Sequence, residues 1–171
     1  MKLVLTNVSD DMARSAIATV ALPVGSIVQL KGLASGETLA VKEGVALDGE
    51  IFEAVLPVAD DPTELYAIVA PDITLKERYS NTYRWNYSEQ PDVPAKEAFR
   101  CYILRHGDRV TIDAKLITGD AVVAGDKLAV TVRDGKLKKV TASEKAVVAK
   151  VLRAKKIDGA VFHIGAGENH A

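Results

Sequence analysis

Short apolar runs, broken by Gly, Asp and Pro, recur along the 171 residues. Val24-Gly25-Ser26-Ile27-Val28-Gln29-Leu30 reads as a turn leading into a strand, and Thr38-Leu39-Ala40-Val41 follows a Ser35-Gly36 turn. Residues 50–56 have a mixed period, and the apolar run 65–70 is stopped by Pro71. Further runs follow at 99–104, 109–112, 127–132, 137–140, 146–152 and 160–164. Several alternate apolar with polar residues, and turn signals recur about every 8–12 residues, the spacing of an all-β barrel or sandwich. Asp134-Gly135 between two such runs predicts a hairpin with a type I′ turn, which needs positive φ at both central residues.

Two stretches are open to either period. Ser9 can cap a helix over 10–20, with acids in the first turn as the helix dipole prefers. The β-branched Ile17, Thr19 and Val20 favour an extended arm instead. Residues 143–153 divide in the same way, with Val147, Val148 and Val151 favouring a strand. Residues 124–130 echo residues 24–30, with Gly125-Asp126 standing where Gly25-Ser26 stands. Two related hairpin units account for this, as does a rhythm common to β-barrels. The organisation predicted is an arm over 1–22 and one β-rich domain over 23–171, with an inserted loop at 78–97.

That loop differs in character. Tyr79, Tyr83, Trp85 and Tyr87 are four of the chain's nine aromatic residues, spaced by Asn, Ser, Thr and Arg. A connection this long inside a compact domain is usually functional or disordered, and protein interfaces enrich such amphipathic rings. The same rings can instead lie over the open end of their own barrel, and the alternation of Tyr83, Trp85 and Tyr87 also suits a half-buried strand.

Composition removes many functions. Hydrophobic residues make up 48% and charged residues 26%, which fits neither a disordered chain nor a membrane protein. No window approaches about 18 apolar residues, so no transmembrane helix is expected. The first residues lack the apolar core of a secretory signal. The single Cys101 excludes an internal disulfide framework and any multi-cysteine zinc site. Formal net charge is −1, which argues against a nucleic-acid binder driven by overall charge. The near-zero total hides two opposed blocks. Residues 36–64 hold eight acids against Lys42, net −7, and residues 133–156 hold nine bases against Asp134 and Glu144, net +7. Such blocks can set register between subunits, or form solvated or mutually paired faces within one copy.

Candidate chemistry is thin. Arg100 beside Cys101 can lower a thiol pKa, although a strand pattern favours a buried, inert cysteine. His106-Gly107-Asp108 reads as a turn, His163 alternates on a terminal strand, and Asp60-Asp61 precedes Pro62 as a turn would. No P-loop, H-E-x-x-H or G-x-S-x-G pattern is present. No catalytic residue, cofactor-binding residue or metal ligand is expected, and no cofactor is implied.

The order of segments carries a resemblance. An N-terminal arm leads to Pro23-Val24-Gly25-Ser26-Ile27-Val28, then Asp48-Gly49-Glu50-Ile51-Phe52, then residues 65–71 leading to Tyr79. Arg100-Cys101-Tyr102-Ile103-Leu104-Arg105-His106-Gly107-Asp108 follows, then the Ala124-Gly125-Asp126 hairpin and a last strand ending in Gly165-Ala166-Gly167-Glu168. Over residues 1–167 this resembles the capsid decoration, or cement, proteins of tailed-bacteriophage heads. The motifs are turns and strand starts, with no catalytic signature. The resemblance implies a non-enzymatic protein on the outer surface of the virion, made in the bacterial host cytoplasm. It implies the major capsid protein as partner and self-association, with a trimer favoured, and neither nucleic acid nor membrane. Leu3, Val4 and Leu5 in the arm and Tyr79, Tyr83, Trp85 and Tyr87 in the loop are the contact residues expected. The alternative is a carbohydrate- or small-molecule-binding β-barrel with Trp85 and Tyr87 as a stacking platform. A third class, an enzyme using Cys101 or His106, ranks below both.

Overall fold

The computed structural model describes residues 3–7, 13–34, 51–58, 66–70, 92–103, 108–140, 147–156 and 160–166. The chain is all-β, as expected, and the described residues contain no α-helix. In chain order the strands are β1 (Leu3–Asn7), β2 (Ala13–Ile17), β3 (Ile27–Leu33), β4 (Ile51–Val55), β5 (Tyr66–Val69) and β6 (Ala98–Ile103). Then come β7 (Arg109–Asp113), a 3-10 turn at Ala114–Leu116, and β8 (Ile117–Thr118). The last four are β9 (Lys127–Val130), β10 (Leu137–Val140), β11 (Val147–Lys156) and β12 (Ala160–Ala166). Both stretches left open between helix and extended chain contain strands, β2 and β11.

The strands divide into two sheets. β2, β4, β3, β5 and β6 close into a five-stranded barrel, with β2 and β4 its single parallel pair. The other sheet is open, in the order β1-β7-β12-β11-β9-β10-β8, antiparallel except where β8 meets β10. The arm predicted over 1–22 therefore contributes to both sheets.

Period-two alternation explains how one chain fills two cores. Along β3, β5 and β6, the side chains of Val28, Leu30, Ala67, Val69, Phe99 and Cys101 fill the barrel. Their neighbours Ile27, Ile68 and Tyr102 point out of the barrel, against Val110, Ile112, Leu128, Val130, Leu137 and Val151 of the open sheet. Burying each large aliphatic side chain stabilises the fold by about 1.5–3 kcal/mol. β5 is therefore apolar on both faces, which is why residues 65–70 read as a continuous run.

Among the described residues one turn is used three times. Pro23-Val24-Gly25-Ser26 leads into β3 with Gly25 at φ 89, and Val123-Ala124-Gly125-Asp126 leads into β9 with Gly125 at φ 95. In each, the fourth residue's N–H donates to the first residue's carbonyl at 3.1 Å, and positive φ at the third residue marks a type II turn. Gly25 donates to the Val69 carbonyl and Val69 donates back to Ser26; Gly125 and Asp126 treat Val151 identically. The fourth side chain follows from the first residue. Pro23 has no N–H, so Ser26 Oγ donates to its carbonyl at 2.7 Å. Val123 has one, so Asp126 Oδ2 accepts it at 2.8 Å. The echo between residues 24–30 and 124–130 is thus a shared local structure. Pro94-Ala95-Lys96-Glu97 before β6 is the third copy, with Lys96 at φ 62 and its N–H donating to the Ala18 carbonyl. Leu22 and Val93, preceding two of these turns, exchange both backbone hydrogen bonds. The last residues of the stretch expected as irregular loop, 92–97, are thereby fixed to the barrel.

The Asp134-Gly135 hairpin forms between β9 and β10, but the expected type I′ turn does not. Positive φ falls on Arg133 and Gly135, not on Asp134. Asp134 Oδ1 instead accepts the Lys136 N–H at 2.9 Å, closing the bend from its own side chain. The loop is shaped by docking on the barrel. Gly135 accepts from the Ile27 N–H at 2.7 Å, and the Arg133 N–H donates to the Pro57 carbonyl at 2.8 Å.

Candidate interaction surface

Leu3, Val4 and Leu5 lie on β1, at one margin of the open sheet, opposite Ile112, Thr111 and Val110 of β7. The barrel is closed and has no edge strand. The open sheet ends in β8, only two residues long, and in β1, five residues long. Among the described residues nothing pairs with the outer margin of β1. Leu3-Val4-Leu5-Thr6-Asn7 carries no charge and no proline, the usual devices that keep an edge from pairing with another chain. The sequence therefore leaves this margin suited to accept a further strand. Tyr79, Tyr83, Trp85 and Tyr87 lie outside the described residues, as do His106, His170, Asp60 and Asp61.

Cys101 is fully buried in the barrel, its Sγ 3.6 Å from the Arg14 carbonyl. Burial pushes its thiol up to about 12, and the charge of Arg14 only partly offsets this. Arg100, which the sequence offers as the activating cation, is a chain neighbour on the strand and is exposed on the other face. A neutral thiol without access to solvent is neither nucleophile nor ligand. The barrel interior is packed with side chains, as the small radius of five strands requires. Among the described residues no three His, Cys, Asp or Glu side chains converge on a point that could hold a metal.

Sequence reasoning missed the side of the open sheet that faces away from the barrel. Val110, Leu128, Ala149 and Val151 face the core, so alternation puts Arg109, Lys127 and Lys150 on the outer side. The +7 block signalled a basic surface, but only strand register shows which bases share a face.

No family model and no curated protein matches the chain. Among solved structures it is similar to the head fiber gp8.5 N base of bacteriophage phi29. The TM-score is 0.48 at 12% sequence identity, over 96% of this chain and 94% of that one. A likeness of this degree carries no conclusion about what the chain does.

Proposed function

We propose that this chain is a structural protein of a tailed-phage head, which binds the outer surface of the capsid and stabilises it by bridging major capsid protein subunits. The observation that carries the reading is the margin of β1, five uncharged residues on a sheet backed by a packed core. Strand addition there would use backbone hydrogen bonds, each worth about 0.5–1.5 kcal/mol net, on a support that loses little entropy on docking. The segment order that resembles decoration proteins agrees with this role.

The test is occupancy of purified shells. Deleting residues 1–8 should weaken attachment. Val4→Lys, which places a charge on the edge without removing the strand, should weaken it while the melting temperature stays near that of the parent chain. Unchanged occupancy by both variants would refute the role of the edge, and no binding by the parent chain would refute the proposed function.

A further inference from the structure

β1 is seated in the fold from one side. Among the described residues it is bonded to β7 alone, with Leu3 opposite Ile112, Val4 opposite Thr111, Leu5 opposite Val110 and Asn7 opposite Arg109. The register shifts between Leu5 and Asn7, which interrupts even this short ladder. The chain that follows β1 gives it no hairpin partner. β1 and β2 are five residues apart in sequence, yet they belong to different sheets. An edge strand held by few backbone bonds opens separately from a packed core.

Opening β1 would leave a site whose complement is already defined. β7 keeps its place without β1, because β12 holds its other margin from Asp113 to Arg109 and Val110 and Ile112 anchor it in the core. The vacated margin of β7 is then a row of backbone groups for which Leu3-Val4-Leu5-Thr6-Asn7 is the fitting strand, register included. The same strand of a second copy fits in the same way. The bonds made are the bonds broken, so exchange sacrifices no pairing, which makes swapping of an element a low-cost route to association. Residues 8–12 reach at most about 20 Å between the two strands, so exchange joins copies that touch. We infer that copies of this chain exchange β1, the strand of one completing the open sheet of the next. Pairing within one chain competes, so exchange grows with protein concentration. It requires no capsid. β1 keeps its outer margin whichever copy's β7 seats it, so exchange can fail without affecting the proposed function.

Cross-linking of the full chain tests it. Asn7→Cys and Arg109→Cys put one thiol each on paired positions of β1 and β7, and Arg109 is exposed. Cys101 is buried, and the parent chain treated identically gives the background. The two single variants are mixed in urea, refolded together at high micromolar concentration and treated with a short bismaleimide. Denaturing electrophoresis should show linked pairs of chains several-fold above either variant refolded alone, and rising with concentration. Peptide mass spectrometry should place the link between positions 7 and 109. A chain carrying both substitutions should divide between links within one chain and links between chains, the second share rising with concentration. Circular dichroism melts establish that each variant is folded, and the neighbouring pair, Val4→Cys and Thr111→Cys, replaces any that is not. Links within the doubly substituted chain and none in the mixture overturn the inference. So do linked pairs formed as readily by Asn7→Cys alone, which would mark β1 meeting β1 edge to edge, or a doubly substituted chain that links in neither way.

Discussion

Gly135→Ala tests how the two sheets are joined. Gly135 stands at φ 65, and a Cβ there would lie 2.6 Å from the Ile27 carbonyl oxygen and 3.3 Å from Leu56 Cδ2. The first contact is with backbone, so relief requires the 131–136 loop to move off the barrel. That movement breaks the Ile27–Gly135 and Arg133–Pro57 hydrogen bonds, worth roughly 0.5–1.5 kcal/mol each. The left-handed conformation itself costs alanine about 1 kcal/mol, and the total is about 2–4 kcal/mol. Gly125 supplies the control. Its φ of 95 is less accessible to alanine, yet no atom lies within 4 Å of the added Cβ. Gly125→Ala should therefore cost only the conformational share, about 1–2 kcal/mol. Urea unfolding followed by circular dichroism reads both as shifts in midpoint at constant slope. In a chain of this size each kcal/mol corresponds to about 2–4 °C in melting temperature. Equal destabilisation by the two variants, or a larger loss at Gly125, would refute the docked loop as the joint between the sheets.

Other outcomes follow from single residues. Lys96 holds a glycine-like conformation at φ 62, so Lys96→Gly should raise stability by about 0.5–1 kcal/mol in the same urea assay. Because burial raises the Cys101 thiol from 9.0 to about 12, the folded state favours the neutral form. That stability is present below pH 9.0 and is lost at about 1.4 kcal/mol per pH unit as pH rises toward 12; Cys101→Ala should flatten this alkaline slope. Asp126 is shifted the other way. The Val123 N–H, and then Lys139 at 2.9 Å, hold its carboxyl below 3.8. Its contribution is present above that value and is lost as pH falls through the lower folded value, so Asp126→Asn should flatten the acid limb of the stability curve.

Local features of the fold were legible in the chain, and long-range pairings were not. The strand at 98–103 follows from the alternation of Phe99, Arg100 and Cys101, and Gly25 and Gly125 announce turns that only positive φ allows. The third copy of that turn escaped notice because Lys96 occupies the glycine position. Asp134-Gly135 announced a hairpin, but its backbone answers to Ile27 and Pro57, far away in the sequence. The division into barrel and open sheet depends on pairings such as β1 with β7 and β7 with β12, which local patterns do not encode. Strands such as β5, apolar on both faces, added to the ambiguity. Of the candidate contact residues, Leu3, Val4 and Leu5 were legible as an apolar, uncharged run. That they form a sheet margin follows only from the topology. That Lys127 and Lys150 stand opposite each other was hidden because they pair across strands and not along the chain.

The proposed function stands most directly on a reconstruction of purified phage shells incubated with the full chain. The account predicts added density on the outer surface, spanning adjacent major capsid protein subunits, with the margin of β1 continued by a capsid strand. Shells that stay bare at saturating protein, or density lying inside the shell, would contradict it.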